Sequence, residues 1–78
     1  MPSTRTIVPM SRHIETLRFP ATVRVEPSET NGLQQPSVIL GFGVTTVNAA
    51  RVGGMIGRLD DDTIAKLKVA LRAYLHLD

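Results

Sequence analysis

The chain has 78 residues, nine Lys or Arg against seven Asp or Glu, a net charge of +2 and no cysteine. Such a chain is one domain at most, residues 1–78, without a disulfide framework or a thiolate metal site and without an apolar run long enough to span a membrane. A chain this short buries a modest fraction of its surface, so oligomerisation is the obvious remaining source of extra stability.

Seven of the nine cations are arginine, and three of the seven acids stand together as Asp60, Asp61 and Asp62. The remainder of the chain is therefore more basic than the total suggests. Arginine suits phosphate recognition through its planar fork, although ordinary surface charge accounts for the composition as well. His13 and His76 lie far apart with no ligand-like spacing, so neither a metal nor another cofactor is expected. No basic-then-apolar secretory signal is visible at the start, and the lack of cysteine fits a reducing cytoplasm.

Residues 4–10 read as a short strand, with Pro9 marking an edge or the strand's end because it has no N–H to donate. Residues 11–20 form a polar loop with a few apolar anchors. Within it Phe19, beside Pro20, reads as a core plug, with base stacking as the other use of an aromatic there. Residues 21–26 alternate: Val23 and Val25 face one way and Thr22, Arg24 and Glu26 the other, as in a half-buried strand. Pro27 ends that strand. Asn31-Gly32 is a turn signal, since both residues tolerate positive φ.

Alternation resumes over residues 37–47, where Val38, Leu40, Phe42 and Val44 share a face. Gly41 and Gly43 share the other face with Ile39. Two glycines so placed suggest a bulge, a sharp bend or close backbone approach, and a barrel-type bend is the expected one. Residues 48–52 are expected to form one helical turn, ended by Gly53 and Gly54. Residues 55–59 read as a last short strand.

The clearest helix follows, from Asp60 to Leu77. Asp60 is placed to cap it, and Leu59 and Ile64 stand at the N′ and N4 positions of a hydrophobic staple. Asp61 and Asp62 suit the positive end of the helix dipole, with Arg72 and His76 toward the other end. Asp62 and Lys66 form an i,i+4 pair. Ile64, Leu67, Leu71, Tyr74 and Leu75 fall on one arc, expected to lie on a sheet. Ala65, Val69 and Ala73 lie on the opposite face among Lys66, Lys68, Arg72 and His76. That face is either solvated or a second contact with another subunit or a partner. A few antiparallel strands followed by one helix make an α+β domain.

Several segments taken together resemble the MazF/PemK family of toxin–antitoxin ribonucleases. They are Thr6-Ile7-Val8-Pro9-Met10-Ser11, Phe19-Pro20-Ala21-Thr22-Val23, Asn31-Gly32-Leu33 with Ser37-Val38-Ile39-Leu40, and Ile56-Gly57-Arg58-Leu59 running into residues 60–77. Their order and spacing over nearly the whole chain carry the resemblance. It implies a small SH3-like antiparallel β-barrel with a C-terminal helix, and a homodimer wrapped by a cognate antitoxin. It also implies metal-independent cleavage of single-stranded RNA at short motifs.

The family has a Ser or Thr after the strand that here ends at Met10, so the resemblance gives Ser11 a catalytic role at the scissile phosphate. The family's catalytic arginine precedes that strand in an N-terminal strand–loop–strand segment. The resemblance thus places that segment, and the first barrel strands, outside this chain. Residues 40–45 also depart from the family, where many relatives carry an acidic or amide pair and then a basic residue. The expectation is thus a toxin-type endoribonuclease. The alternative is a non-catalytic remnant acting in dimerisation, antitoxin binding or weak nucleic-acid binding.

RNA supplies its own nucleophile in the 2′-OH, so the protein need only align it and stabilise the charged phosphorane. Arg5, Arg12, His13 and Arg18 are the candidate RNA-binding residues around Ser11, and a histidine suits proton transfer. Neighbours on an extended strand point to opposite faces, so Ser11, Arg12 and His13 need not converge. Taken alone, Ser11 is a loop hydroxyl capping a backbone amide.

Overall fold

The structure, a computed structural model, describes residues 3–76. The elements in chain order are β1 (Thr4–Ile7), β2 (Met10–Ser11), a 3-10 turn at Ile14–Arg18, β3 (Thr22–Val25), β4 (Ser37–Leu40) and a 3-10 turn at Gly41–Gly43. Then come β5 (Thr45–Asn48), a 3-10 turn at Ala49–Arg51, and the helix α1 (Asp61–Tyr74). All strand pairs are antiparallel, in one sheet ordered β2-β4-β3 and another of β1 with β5. The sheets do not close into a barrel, and the architecture is α+β with an incomplete barrel.

The expected single strand over residues 4–10 is two strands in different sheets. Pro9 is the cause: it has no N–H for a ladder, and its carbonyl instead accepts from Leu40 N at 2.8 Å. The chain bends there and passes from β5's sheet to β4's. β3 follows the alternation, with Val23 and Val25 buried and Arg24 exposed.

Residues 37–47 do not form one alternating strand. β4 stops at Leu40, because Gly41 N–H turns to donate to Ala21 O at 2.8 Å. Ala21 itself stands at φ 58, a rare region for a residue with a Cβ. The glycines mark the expected bend. β4 is central in its sheet, and Val38 and Ile39, on opposite faces, are both buried. Ile39 joins Val23 and Val25 in the core, against Val8, Leu33, Leu59, Leu67 and Ala70. Each such aliphatic contributes roughly 1.5–3 kcal/mol when fully buried.

Residues 55–59 form no strand. Met55 and Ile56 are 81% and 73% exposed, and this stretch is tied to the turn before β4 by one backbone bond, Arg58 N to Thr30 O at 2.8 Å. The turn at residues 48–52 forms as expected, and Asn48 Oδ1 accepts from Ala50 N at 2.9 Å.

α1 begins as expected: Asp60 Oδ1 accepts from Thr63 N at 2.7 Å, and Lys66 lies 3.2 Å from Asp62. Its inward face differs from the expected arc. Leu67 and Ala70 meet the core and Leu71 reaches Gly41, whereas Tyr74 and Leu75 are 41% and 48% exposed. The helix ends at Tyr74, short of the expected extent, with Leu75 as its C-cap, and His76 beyond it takes φ 57 and donates its N–H to Ala73 O. Leu77 lies outside the described residues.

The cap gives a pH prediction. Hydrogen bonding from the Thr63 side chain first, and from its backbone N–H second, holds the Asp60 carboxyl below its ordinary value of 3.8. A depressed folded-state value means stability that is present above the ordinary value and is lost as pH falls through the depressed one. In circular dichroism, wild type is expected to lose helix signal on acidification in that window relative to Asp60→Asn, whose cap does not titrate. Asp60→Ala is expected to melt lower than both at neutral pH. Parallel acid titrations of wild type and Asp60→Asn would count against this role for the carboxylate.

Candidate functional site

Ser11 ends β2, opposite Val38 on β4, and is half-buried. Its Oγ accepts from His13 N at 3.0 Å. The hydroxyl thus caps a backbone amide, as the residue alone suggests, while its own proton stays available for another acceptor. His13 then opens the 3-10 turn at Ile14–Arg18 in an extended conformation. Its carbonyl takes Thr16 N at 3.0 Å and the Thr16 hydroxyl at 2.6 Å. The turn therefore fixes the backbone on which the His13 side chain is displayed.

That side chain is 77% exposed, with Nδ1 3.4 Å from Glu15 Oε1. The carboxylate faces Nδ1, so Nε2 is the ring nitrogen that Glu15 does not engage. Arg12 turns elsewhere. The Gln35 amide, oriented to satisfy both groups, accepts from Arg12 Nε and Nη1 at 3.0 Å each. Arg12 and Gln35 line a cavity of about 220 Å³ with Leu33, Ser37 and Ile56. The chain thus brings Ser11 and His13 together through a backbone bond, while Arg12 points into this neighbouring cavity.

Arg18 ends the 3-10 turn, its guanidinium carbon 5.1 Å from the centre of the Phe19 ring. Phe19 is 43% exposed and is not a core plug. Its ring meets that of Phe42 edge to face, with centroids 5.7 Å apart. Arg5 stands apart from these residues, on β1 in the other sheet, exposed and bonded to the Thr4 carbonyl at 3.1 Å. Among the described residues no three His, Asp or Glu side chains cluster as metal ligands, and no helix is long and apolar enough to cross a membrane.

A sequence model of the PemK-like, MazF-like toxins of type II toxin–antitoxin systems matches residues 1–75. The chain belongs to this toxin family. Comparison with curated proteins gave no match. Membership in a type II family implies an antitoxin as the toxin's partner.

Glu15, Gln35 and Phe42 are the parts of this surface that sequence reasoning did not single out. Glu15 has a faint signal, an acid two residues after a histidine at the start of a turn. Gln35 has none, because its role depends on β4 lying beside β2. Phe42 shares the strand period of Val38, and the bend at Gly41 removes it from that face.

Proposed function

We propose that this toxin is an endoribonuclease that cleaves single-stranded RNA, with Ser11 at the scissile phosphate. The observation that carries the reading is the Ser11 hydroxyl, capped on its acceptor side by His13 N–H and free to donate, beside an exposed histidine. In the reaction the RNA 2′-oxygen attacks the adjacent phosphorus and the P–O5′ bond breaks. The products are a 2′,3′-cyclic phosphate and a 5′-hydroxyl. Ser11 donates to a non-bridging oxygen as charge builds there. His13 Nε2 takes the 2′-OH proton, and the departing 5′-oxygen is protonated by the imidazolium so formed. Arg18, at the end of the turn that begins at His13, holds a flanking phosphate, and Arg5 and Arg12, which stand apart from Ser11, serve phosphates farther along the strand. Cytoplasmic transcripts are the substrate pool in this reading.

Purified protein is expected to cleave single-stranded RNA equally with and without a chelator, and Ser11→Ala to slow cleavage about a hundredfold, as removal of one charge-stabilising donor does. No cleavage at high protein concentration would remove the reading.

The engagement of Arg12 with Gln35 favours a second reading, a non-catalytic module for dimerisation or antitoxin binding. The surface supports a polypeptide partner under either reading. The chain exposes 5977 Å², against about 4,700 Å² for a compact monomer of its mass. Met55, Ile56 and Val69, at 81%, 73% and 70% exposure, are the large apolar side chains that such a partner would cover. A second copy of the chain and an antitoxin are the partners assigned to this surface. Under the second reading, a neighbouring small acidic gene product is captured tightly while RNA stays intact.

A further inference from the structure

We propose that Phe19 and Phe42, with the Arg18 guanidinium, form a stacking site for a nucleobase of single-stranded RNA bound across Ser11. The proposal rests on the RNA reading above and adds to it the group that holds a base. An aromatic ring contributes to a fold chiefly by being buried. This chain has only two phenylalanines, and neither lies in its core. Val23, Val25, Val38 and Ile39 fill that core, while Phe19 and Phe42 stay 43% and 38% exposed and touch each other. The arrangement leaves a ring surface open to solvent with a cation already resting on it. Every base has a π face, so a platform of rings and a guanidinium holds bases without regard to sequence.

The platform lies close to Ser11. The 3-10 turn that begins at His13 ends at Phe19, whose N–H closes it on Thr16 O at 3.0 Å. From the other side, a Cβ at Gly43 would lie 2.9 Å from Pro9 Cγ. Phe42 is therefore one residue from contact with the chain entering β2. Ser11 pairs with Val38, four residues before Phe42. Adding the cross-strand step of about 5 Å to four residues at no more than about 3.6 Å each, the Cα atoms of Ser11 and Phe42 lie within roughly 20 Å, a span of a few nucleotides of single strand. Charge agrees: the loop carrying the platform holds Arg12, His13 and Arg18 against Glu15 alone, a surface suited to a polyanion.

The test uses the full chain and two labelled probes of equal length, oligouridylate and its abasic ribose-phosphate analogue, read by fluorescence anisotropy. Phe19→Leu/Phe42→Leu keeps apolar volume while removing the π faces, and its thermal midpoint is measured alongside. The expected result is binding to oligouridylate weakened about tenfold, with the abasic affinity unchanged. A loss on both probes, or on neither, overturns the proposal and leaves the RNA reading standing. Wild-type protein that binds both probes equally also overturns it, and makes the pair an apolar surface for a protein partner. Wild-type protein that binds neither probe overturns both readings.

Discussion

Gly57→Ala is expected to cost about 3 kcal/mol or more and to take away most of the domain's stability. At this junction two stretches of backbone touch with no side chain between them. A Cβ on Gly57 would overlap the Asn31 carbonyl and lie 2.6 Å from Thr30 O. Thr30 O also accepts the 2.8 Å bond from Arg58 N that fixes the approach to α1. A clash with a flexible side chain is relieved by a rotamer change. Here the obstacle is backbone, so the segments must part. Overpacking costs typically about 1–3 kcal/mol, and loss of the Arg58 bond adds about 1 kcal/mol. Gly32 faces the same contact from the other side. Its φ is 70, and a Cβ there would come within 2.8 Å of the Ile56 carbonyl carbon. With four buried apolar residues among those described, the domain stands near the low end of the usual stability range of about 5–15 kcal/mol, so such a loss is most of its margin. Gly54→Ala is the control: a Cβ there meets nothing within 4 Å, and a shift within about 1 kcal/mol is expected. Urea melts followed by circular dichroism compare the two. Equal midpoints would mean that the two backbones do not meet.

This junction also shows where the sequence was legible and where it was not. The Asn31-Gly32 turn, the Asp60 cap, the helical turn after Asn48 and the alternation of β3 could be read because each is settled within a few residues. Residues 55–59 could not. Met55, Ile56 and Leu59 look like strand residues, but a strand needs a free edge to pair with, and the backbone they reach is a turn offering one carbonyl. Likewise the period of α1 was right and its extent was not. The sheet beneath it ends before Tyr74, which lies instead beside Pro20 and Ala21. Phe19 followed the general rule that aromatics go inside, yet the small core is filled by valine and isoleucine. At the candidate site, Ser11 stood out through resemblance alone. The Arg12–Gln35 and His13–Glu15 contacts join long polar side chains across turns, and no periodicity announces them.

Asn31→Ala is the second substitution expected to have a large effect, about 2–4 kcal/mol. Asn31 is 8% exposed, an unusual place for an amide unless its hydrogen bonds are satisfied. Its Oδ1 accepts from Ser28 N and from Leu33 N, each at 3.0 Å, and its Nδ2 donates to Glu26 O at 2.8 Å. One side chain thus holds three backbone groups of the turn that carries Gly32 against Gly57. Removing it leaves two donors and an acceptor short of partners in a part-buried site, at about 1–3 kcal/mol for each that water does not reach. The series Asn, Asp, Ala separates this network from simple filling of space. Asn31→Asp keeps both accepted bonds but sets a carboxylate oxygen against the Glu26 carbonyl. It is therefore expected to fall between wild type and Asn31→Ala at neutral pH, and to recover part of the difference as acidification supplies a proton for that carbonyl. Asn31→Leu fills the space without any of the bonds, and is expected to unfold as readily as Asn31→Ala. If Asn31→Leu instead melts with wild type, the turn is held by packing and the amide contributes nothing through its hydrogen bonds.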